Sequence, residues 1–201
     1  MIHPDTEVRF INKIVGYGVV AKKHIPKGTI TWVQDPLDSI YQPQQLQNFS
    51  EPVKKLIDTY SFRNNKGEYV LCWDIAKYVN HSFHSNCLTT AYDFELAIRD
   101  IEPGEELTDD YGYLNVSEPF VAYDEGVERK VVYPDDLLRF FPFWDAQLAD
   151  TFYLINTTKQ PLKKYFSNKK WAEINAVLKG QKPLASILEC YCANGQSTGS
   201  Y

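Results

Sequence analysis

The chain has 201 residues, a formal net charge of −5, and a composition that is 44% hydrophobic, 14% aromatic and 23% charged. This composition excludes a disordered chain, and no apolar run approaches the ~18 residues of a membrane span. The acidic balance argues against nucleic acid as a direct partner, because phosphate binding requires clustered Lys and Arg. We therefore expect a globular protein that binds neither membrane nor nucleic acid.

Four cysteines, Cys72, Cys87, Cys190 and Cys192, bear on the compartment and on metal binding. The first residues lack the basic and apolar regions of a secretory signal, so we expect reduced thiols in an intracellular protein. Cys190 and Cys192 supply two ligands at most, whereas a structural zinc ion needs four. We predict no metal site, and a cytoplasmic location, or a nuclear one if the organism is a eukaryote.

Short strands joined by turns are predicted at the start of the chain. Residues 8–11 alternate in polarity and predict one strand. Residues 14–21 form a β-branched run that Gly16 and Gly18 interrupt, and this run predicts a second strand. Residues 29–33 predict a third.

An insertion is predicted over residues 34–68. Its first part, 34–50, is polar and rich in Gln and Pro, which indicates a loop. Ser50, Glu51 and Pro52 are typical of a helix start, with a capping residue followed by Pro in the first turn.

Two further strands are predicted before the middle of the chain. Residues 69–73 form a buried-strand candidate, and Asp74 is placed to cap a short helical turn after it. Residues 94–101 alternate as a half-buried strand does. Gly104 then supplies the positive φ of a type II turn.

The later sequence is helical in character. Asp135 and Asp136 place acidic groups at the positive end of a predicted helix. Asn168 is a candidate cap for a second helix, which Gly180 closes. Residues 184–188 predict a last short helix.

These patterns divide the chain into a strand-rich part, residues 1–115, and a helical C-terminal extension, residues 116–201. Within the extension, the small and polar tail 193–201 is expected to be flexible.

The first motif with chemical meaning is Gly16-Tyr17-Gly18. Two glycines within a strand mark either a bulge or a place where a ligand contacts the backbone. The third glycine and the following helix of a dinucleotide-binding fingerprint are missing, so a Rossmann-type dinucleotide site is not expected.

The second motif runs from Asn80, His81 and Ser82 to Asn86 and Cys87. Polar side chains are concentrated here between two apolar strands, and buried polar groups require partners. The stretch is therefore either an exposed loop or a polar ligand-binding network, and His81 alone fits either interpretation.

The third motif, residues 104–113, ends a strand with Tyr111 and Tyr113 at a chain reversal. These phenols are either half-buried surface groups or part of a site.

In this order the three motifs resemble those of the SET-domain lysine methyltransferases. They stand here as G-Y-G at 16–18, N-H-S-F-H-S-N-C at 80–87 and G-E-E-L-T-D-D-Y at 104–111. The linking stretches I-P-K-G-T at 25–29 and A-I-R-D-I-E-P-G at 97–104 are also similar to the family.

The resemblance covers residues 7–114 and implies a mainly β fold with some α structure. SET domains have a β-clip-like fold of several small curved sheets with a knot-like crossing. In this chain the SET domain would occupy residues 1–115, with 34–68 as an insertion and the helical extension after it.

The resemblance also implies S-adenosyl-L-methionine as the cofactor, bound on one face, with a lysine reaching it through a channel from the other. Carried over by motif, Gly16, Tyr17 and Gly18 would contact the cofactor through their backbone. Asn80 and His81 would hydrogen-bond to it.

Tyr111 would stand at the transfer point, in contact with cofactor and substrate, as the catalytic residue. A phenol with a pKa near 10 is mostly protonated at neutral pH. We therefore expect Tyr111 to orient the amine and not to act as a general base.

Three positions depart from the family pattern. Many members carry an aromatic residue where this chain has Asp109, and some carry a tyrosine where it has Thr89. A tyrosine is also frequent where Trp32 and Val33 stand. The number of methyl groups transferred is therefore left open.

Walls of the substrate channel are assigned to Tyr113, Tyr92 and Thr89, and Tyr60 is a further candidate. The C-terminal zinc site of some members is not expected, because Ser197 and Phe83 replace two of its cysteines. A metal-free C-terminal segment would close the channel instead. Its candidate side chains are Phe140, Phe141, Phe143 and Trp144.

The function predicted from the resemblance is transfer of a methyl group from S-adenosylmethionine to the side-chain amine of a protein lysine. The partner would be a protein substrate, such as a basic or histone-like one, and the enzyme a monomer or a homodimer. Two alternatives stay open: a catalytically weak SET-fold binding module, and a methyltransferase for a non-histone protein or a small amine.

Overall fold

The computed structural model describes residues 1–193. The strands are β1 (Thr6–Asn12), β2 (Gly16–Ala21), β3 (Ile30–Val33), β4 (Ser39–Tyr41), β5 (Ser61–Arg63), β6 (Tyr69–Leu71), β7 (Asn80–His81), β8 (Cys87–Thr89), β9 (Phe94–Ala97), β10 (Glu106–Asp109), β11 (Phe120–Val121) and β12 (Val131–Val132). The α-helices are α1 (Pro43–Leu46), α2 (Glu51–Tyr60), α3 (Asp136–Thr151) and α4 (Asn168–Leu178). The 3₁₀ turns are Ile75–Tyr78, Tyr111–Tyr113, Phe152–Asn156, Lys163–Tyr165 and Ile187–Cys190.

The fold is mainly β, with several small sheets and a helical C-terminal region, as the sequence predicts. One sheet has the order β1-β2-β10-β7, and its β7–β10 pair is parallel while the other pairs are antiparallel. In that parallel pair Asn80 lies opposite Thr108, and His81 lies opposite Asp109. Two motifs far apart in sequence therefore become neighbours.

A second sheet, of order β3-β9-β8, is antiparallel throughout. In its central strand, Glu95 has Trp32 as its partner on one side and Thr89 on the other. Residues directly opposite each other on antiparallel strands share a face of the sheet. The three side chains are therefore neighbours on one face.

The predicted insertion, residues 34–68, contributes most of a third sheet, β4-β6-β5. Helix α2 begins where the sequence predicts, at Glu51 after Ser50. The stretch 34–50, predicted as a loop or insertion, contains β4 and the single turn α1. Three- and four-residue elements are too short to show a periodic pattern.

The C-terminal region differs in detail from its prediction. The antiparallel pair β11–β12 precedes the helices, which begin at Asp136. The cap of α4 is Ser167 and not Asn168, since the Ser167 hydroxyl accepts a hydrogen bond from the Lys170 amide at 3.1 Å. The short last helix is the 3₁₀ turn Ile187–Cys190. The prediction for the tail falls almost entirely on residues 194–201, outside the described residues.

The larger of two hydrophobic clusters joins both parts of the chain. Leu88 and Phe94 from the β3-β9-β8 sheet pack in it with Leu137, Trp144 and Phe152 from the extension. The strand-rich part therefore completes its core with residues from the helical region. Within residues 1–193, no helix combines the length and the apolar character that crossing a membrane requires.

Candidate active site

Tyr111 is fixed at both ends by hydrogen bonds, to His81 of the second motif and to Val79 just before it. Its backbone N–H donates to Nδ1 of His81 at 3.1 Å, and its hydroxyl donates to the Val79 carbonyl at 2.6 Å. Asp110 caps the 3₁₀ turn that begins at Tyr111, because its Oδ1 accepts from the Gly112 N–H at 2.9 Å. The phenol is thus held in one position by its own turn and by the parallel neighbour strand.

The ionisation of Tyr111 is suppressed in this environment. Burial raises the pKa of its phenol well above the usual value, and the carboxylates of Asp109, Glu106 and Glu95 raise it further. The hydroxyl therefore stays protonated at physiological pH and can act through its hydrogen bonds and its dipole. It cannot supply a phenolate base.

His81 is neutral. Burial, together with the charge of Arg129, lowers its pKa to about 4. Because Nδ1 accepts from the Tyr111 amide, we assign the proton of the neutral ring to Nε2. Nε2 is buried and has no hydrogen-bond partner in residues 1–193. The ring contacts Phe83, Tyr111 and Phe120, with centroids 4.5 to 5.6 Å apart.

The first motif is joined to the second through Asn80. Its side-chain amide donates to the Tyr17 carbonyl at 3.0 Å and to Oε1 of Glu106 at 2.7 Å. A Cβ at Gly18 would collide with the same Glu106 side chain and with Ile11. A side chain at position 18 would therefore have to displace Glu106 and Ile11, and the first motif lies directly beside the second.

A cavity of about 450 Å³ opens next to Tyr111. The end of α2, strand β5, the 3₁₀ turn Ile75–Tyr78 and residues 114–120 enclose it. Tyr60, Phe120 and Trp32 give its wall an aromatic character. Its volume lies within the range of small-molecule sites, ~300–1,000 Å³.

Of the six predicted cofactor residues, only Tyr111 lines this cavity. Gly16, Tyr17, Gly18, Asn80 and His81 are all missing from its wall, whereas Val79, the residue before Asn80, belongs to it. The motif residues do form one connected group with the wall, through the contacts described above.

The predicted channel residues are divided between two cavities. Tyr111 and the candidate Tyr60 line the larger one. Thr89 and Tyr113 line a smaller one of about 100 Å³, which shares Trp32 with the larger.

The assignment of Tyr92 to the channel wall is wrong. Its ring is buried against Phe94 and Phe152, and its hydroxyl accepts a hydrogen bond from the Ala185 amide at 2.9 Å. It lines neither of the two cavities described for residues 1–193.

Tyr113 is mainly a structural residue. Only 1% of its surface is exposed, and its hydroxyl donates to Asp109 at 2.8 Å or to the Cys87 carbonyl at 2.9 Å while it accepts from the Asp110 amide. It is therefore not a wall of the larger cavity beside Tyr111.

The segment that encloses the cavity from the C-terminal side is 114–120, ahead of the predicted one. The predicted aromatic residues do not close it. Phe140 and Trp144 pack against each other and against Arg129, and Phe143 is exposed to solvent. In the chain up to residue 193, no cluster of three or more His, Cys, Asp or Glu side chains has a metal-binding arrangement.

Sequence reasoning missed Glu95 and Phe120. The alternation of residues 94–97 predicts that Glu95 faces away from the core, and it does, but that face looks into the cavity instead of bulk solvent. Phe120 lies outside every motif, in a two-residue strand with no periodic signal.

The family model of the SET domain matches residues 16–112. The chain therefore contains a SET domain at residues 16–112, and SET domains are generally protein-lysine methyltransferases. A comparison with curated proteins finds no significant relative.

Proposed function

We propose that this protein is an S-adenosylmethionine-dependent methyltransferase that acts on the side-chain amine of a protein lysine. The observation that carries the proposal is the position of Tyr111. Its backbone N–H is held by His81 and its hydroxyl by the Val79 carbonyl, and the residue stands at the wall of the larger of the two described cavities.

The residues around the cavity suit the cofactor. The aromatic wall at Phe120 and Tyr60 offers faces for a purine ring and for a cationic sulfur. The unpartnered N–H that we assign to Nε2 of His81 is a donor left for a ligand. We expect the backbone at 16–18 and 79–81, together with Phe120, to hold the cofactor, which supplies an electrophilic methyl group.

The protein's own contribution to the chemistry is position and environment. A lysine ammonium, with a pKa of about 10.4, has no lone pair and must lose a proton before it can attack. The Tyr111 hydroxyl and the Val79 carbonyl can then orient the neutral amine. Positioning alone can supply ~7–11 kcal/mol of a barrier of this kind.

We place the lysine entry on the side of the smaller cavity. Thr89 and Tyr113 line it, and it shares the Trp32 wall with the larger cavity. We expect a lysine side chain that enters there to pass Trp32 on its way to Tyr111.

The test is mass spectrometry of cell-lysate proteins after incubation with the enzyme and a heavy-methyl cofactor. We expect labelled lysines, and we expect Tyr111→Phe to lower labelling by ~10²-fold or more, because a positioned hydrogen-bonding group is lost at the transfer point. Tyr153→Phe is the matched control, since Tyr153 is 47% exposed.

Equal labelling by the wild type and Tyr111→Phe would remove Tyr111 from the mechanism. A wild-type protein that binds the cofactor but labels nothing would support a binding module and contradict the transferase proposal.

A further inference from the structure

The larger cavity contains a carboxyl group that the function described so far does not use. Glu95 lies in β9 between Trp32 and Thr89 and lines the cavity that Tyr111 also lines. Its carboxylate makes no hydrogen bond or ion pair with any residue in the described range, 1–193. A polar group in this position is available to a ligand.

A second carboxyl reaches the same cavity from the neighbouring sheet. Asp109 is only 4% exposed, and its Oδ1 accepts the Tyr113 hydroxyl at 2.8 Å. The indole Nε1 of Trp32, in the shared wall, is also buried without a hydrogen-bond partner among residues 1–193. The wall near Tyr111 thus contains two carboxyl groups and an unpaired N–H donor. A channel lined only by aromatic rings would offer no carboxyl group to accept a proton.

We propose that Glu95, paired with Asp109, receives the proton that the substrate ammonium must lose before methyl transfer. This inference rests on the proposed function. An N–H bond of the ammonium breaks and an O–H bond forms on the carboxylate, so the freed nitrogen lone pair can bond to the methyl carbon. S-adenosylmethionine, when bound, would supply that methyl carbon, and its sulfur would keep the C–S electron pair as a neutral thioether.

The environment of the two carboxyls fits this task. Burial raises the pKa of Glu95, and Asp109 raises it further. Burial raises the pKa of Asp109 to about 7, against the lowering effect of the Tyr113 hydrogen bond. A base with a pKa near the working pH is the most effective proton acceptor. The charge of Asp109 disfavours ionisation of Glu95 in the same cavity, which favours uptake of a proton there.

The charged and titratable groups that face the pair come from several elements. The N-terminal ammonium of Met1 acts to lower the pKa of Glu95, and Asp110 acts to raise that of Asp109. The remaining groups that interact with the pair or share its cavity are Asp58, Tyr60, Arg63, Tyr69, Cys72, Lys77, Cys87, Tyr111, Tyr113 and Glu118.

The first arm of the test is the pH profile of kcat/KM. For the wild type we expect a rise to a plateau above about pH 8, because the carboxylate is then available. The double variant Glu95→Gln/Asp109→Asn should be ~10²-fold slower at pH 7.5 and should keep rising about tenfold per pH unit towards the ammonium pKa of about 10.4. Glu102→Gln, at a glutamate whose side chain is 69% exposed, is the matched control.

The second arm does not depend on turnover. Carboxyl ¹³C NMR of the wild type at pH 7.5 reports the ionisation of Glu95 and Asp109 before and after addition of N-acetyl-lysine methylamide. Proton transfer predicts that the carboxyl signals move to their protonated values as the probe binds. Signals that stay at, or move towards, the ionised values would overturn the proposal, because the probe would then remain a simple counter-ion.

The outcomes separate the two proposals. If the wild type labels lysine but the double variant has the same pH profile, proton acceptance by this pair is wrong and the methyltransferase stands. If the wild type neither binds the cofactor nor labels any protein, the proposed function is wrong, and this inference falls with it.

Discussion

Gly18, Glu106 and Asn80 show how a single missing Cβ organises the candidate cofactor side of the protein. The Glu106 side chain occupies the space that a Cβ at Gly18 would need, and from there it accepts the Asn80 amide at 2.7 Å. Asn80 precedes His81, whose Nδ1 accepts the Tyr111 amide. One glycine thus supports a chain of contacts that ends at the catalytic candidate.

Replacing Gly18 by Ala should therefore lower the free energy of unfolding, because the new methyl group collides with its neighbours. We expect a loss of ~1–3 kcal/mol in the free energy of unfolding from overpacking, with weaker cofactor binding as Asn80 shifts. Denaturant unfolding and calorimetric titration measure both effects. Gly180→Ala is the control: nothing lies within 4 Å of a Cβ there, so only its φ of +69° costs stability, but cofactor binding should stay that of the wild type. A Gly18→Ala variant that binds the cofactor like the wild type would contradict the account.

Asp109 gives a prediction for stability against pH. Its pKa is raised to about 7 in the folded protein and is about 3.9 in an unfolded chain. The folded state therefore binds the proton more tightly, so this stabilisation is present below about pH 4 and is lost as the pH rises through about 7. Asp109→Asn does not titrate and keeps an oxygen that can accept the Tyr113 hydroxyl.

We expect the free energy of unfolding of the wild type, relative to Asp109→Asn, to fall by ~2–4 kcal/mol between pH 4 and pH 8. Urea unfolding at several pH values measures the difference. A difference that does not change with pH would show that Asp109 is ionised in the folded state.

At the scale of elements, Arg129 connects the turn that carries Tyr111 to helix α3. Its guanidinium pairs with Asp110 at the start of that turn and with Asp136 at the start of the helix. It also stacks over the rings of Phe83 and Phe140, each at 4.7 Å. Both carboxylates are at least 96% buried, so the cation is what makes their burial tolerable.

Replacing Arg129 by Met should destabilise the fold by ~3–5 kcal/mol, because two buried carboxylates lose their partner. Arg139→Met removes a pair with Asp135 whose side chains are 50% and 34% exposed, and it should cost only ~0–1 kcal/mol. Thermal and denaturant unfolding of the two variants side by side would check this. Similar losses for both would mean that the Arg129 pairs are not the link between turn and helix.

Sequence patterns predicted the elements whose signals are local. Helix α2 starts at its Ser-Glu-Pro signal, Asp74 caps its turn by accepting from the Ala76 amide at 3.0 Å, and Gly104 has the predicted positive φ. Strands β11 and β12 were missed because two residues cannot show a period.

The sequence predicted the site residues that belong to the ordered motifs, but not those that lie outside them. Tyr111 and its motif neighbours could be named because the spacing is specific. Tyr92 was misassigned because a buried tyrosine and a channel tyrosine look alike in sequence until the partner of the hydroxyl is known. Glu95 was missed because strand alternation does not tell a cavity from solvent.

For the whole molecule, the shared core means that the helical extension is part of the folding unit. Phe152 is fully buried against Phe94 and Tyr92 of the SET domain. The same hydrophobic cluster also contacts Leu114, at the start of the segment 114–120 that encloses the cavity. The stability of the extension is therefore coupled to the closure of the site.

Phe152→Ala should accordingly cost ~3–5 kcal/mol and lower the unfolding midpoint of the whole chain in one transition. Phe143→Ala, at a residue that is 61% exposed, should change stability by only ~0.5 kcal/mol. Calorimetric unfolding of both variants measures this. Two separate transitions in Phe152→Ala, with the strand-rich part unchanged, would mean that the extension folds independently.

The most direct measurement of the central claim is backbone-amide NMR of the labelled protein during titration with S-adenosylmethionine. The account predicts one binding site, with the largest shifts at residues 16–18, 79–81, 111 and 120. Saturable shifts that map to another face, or no shifts at all, would contradict it.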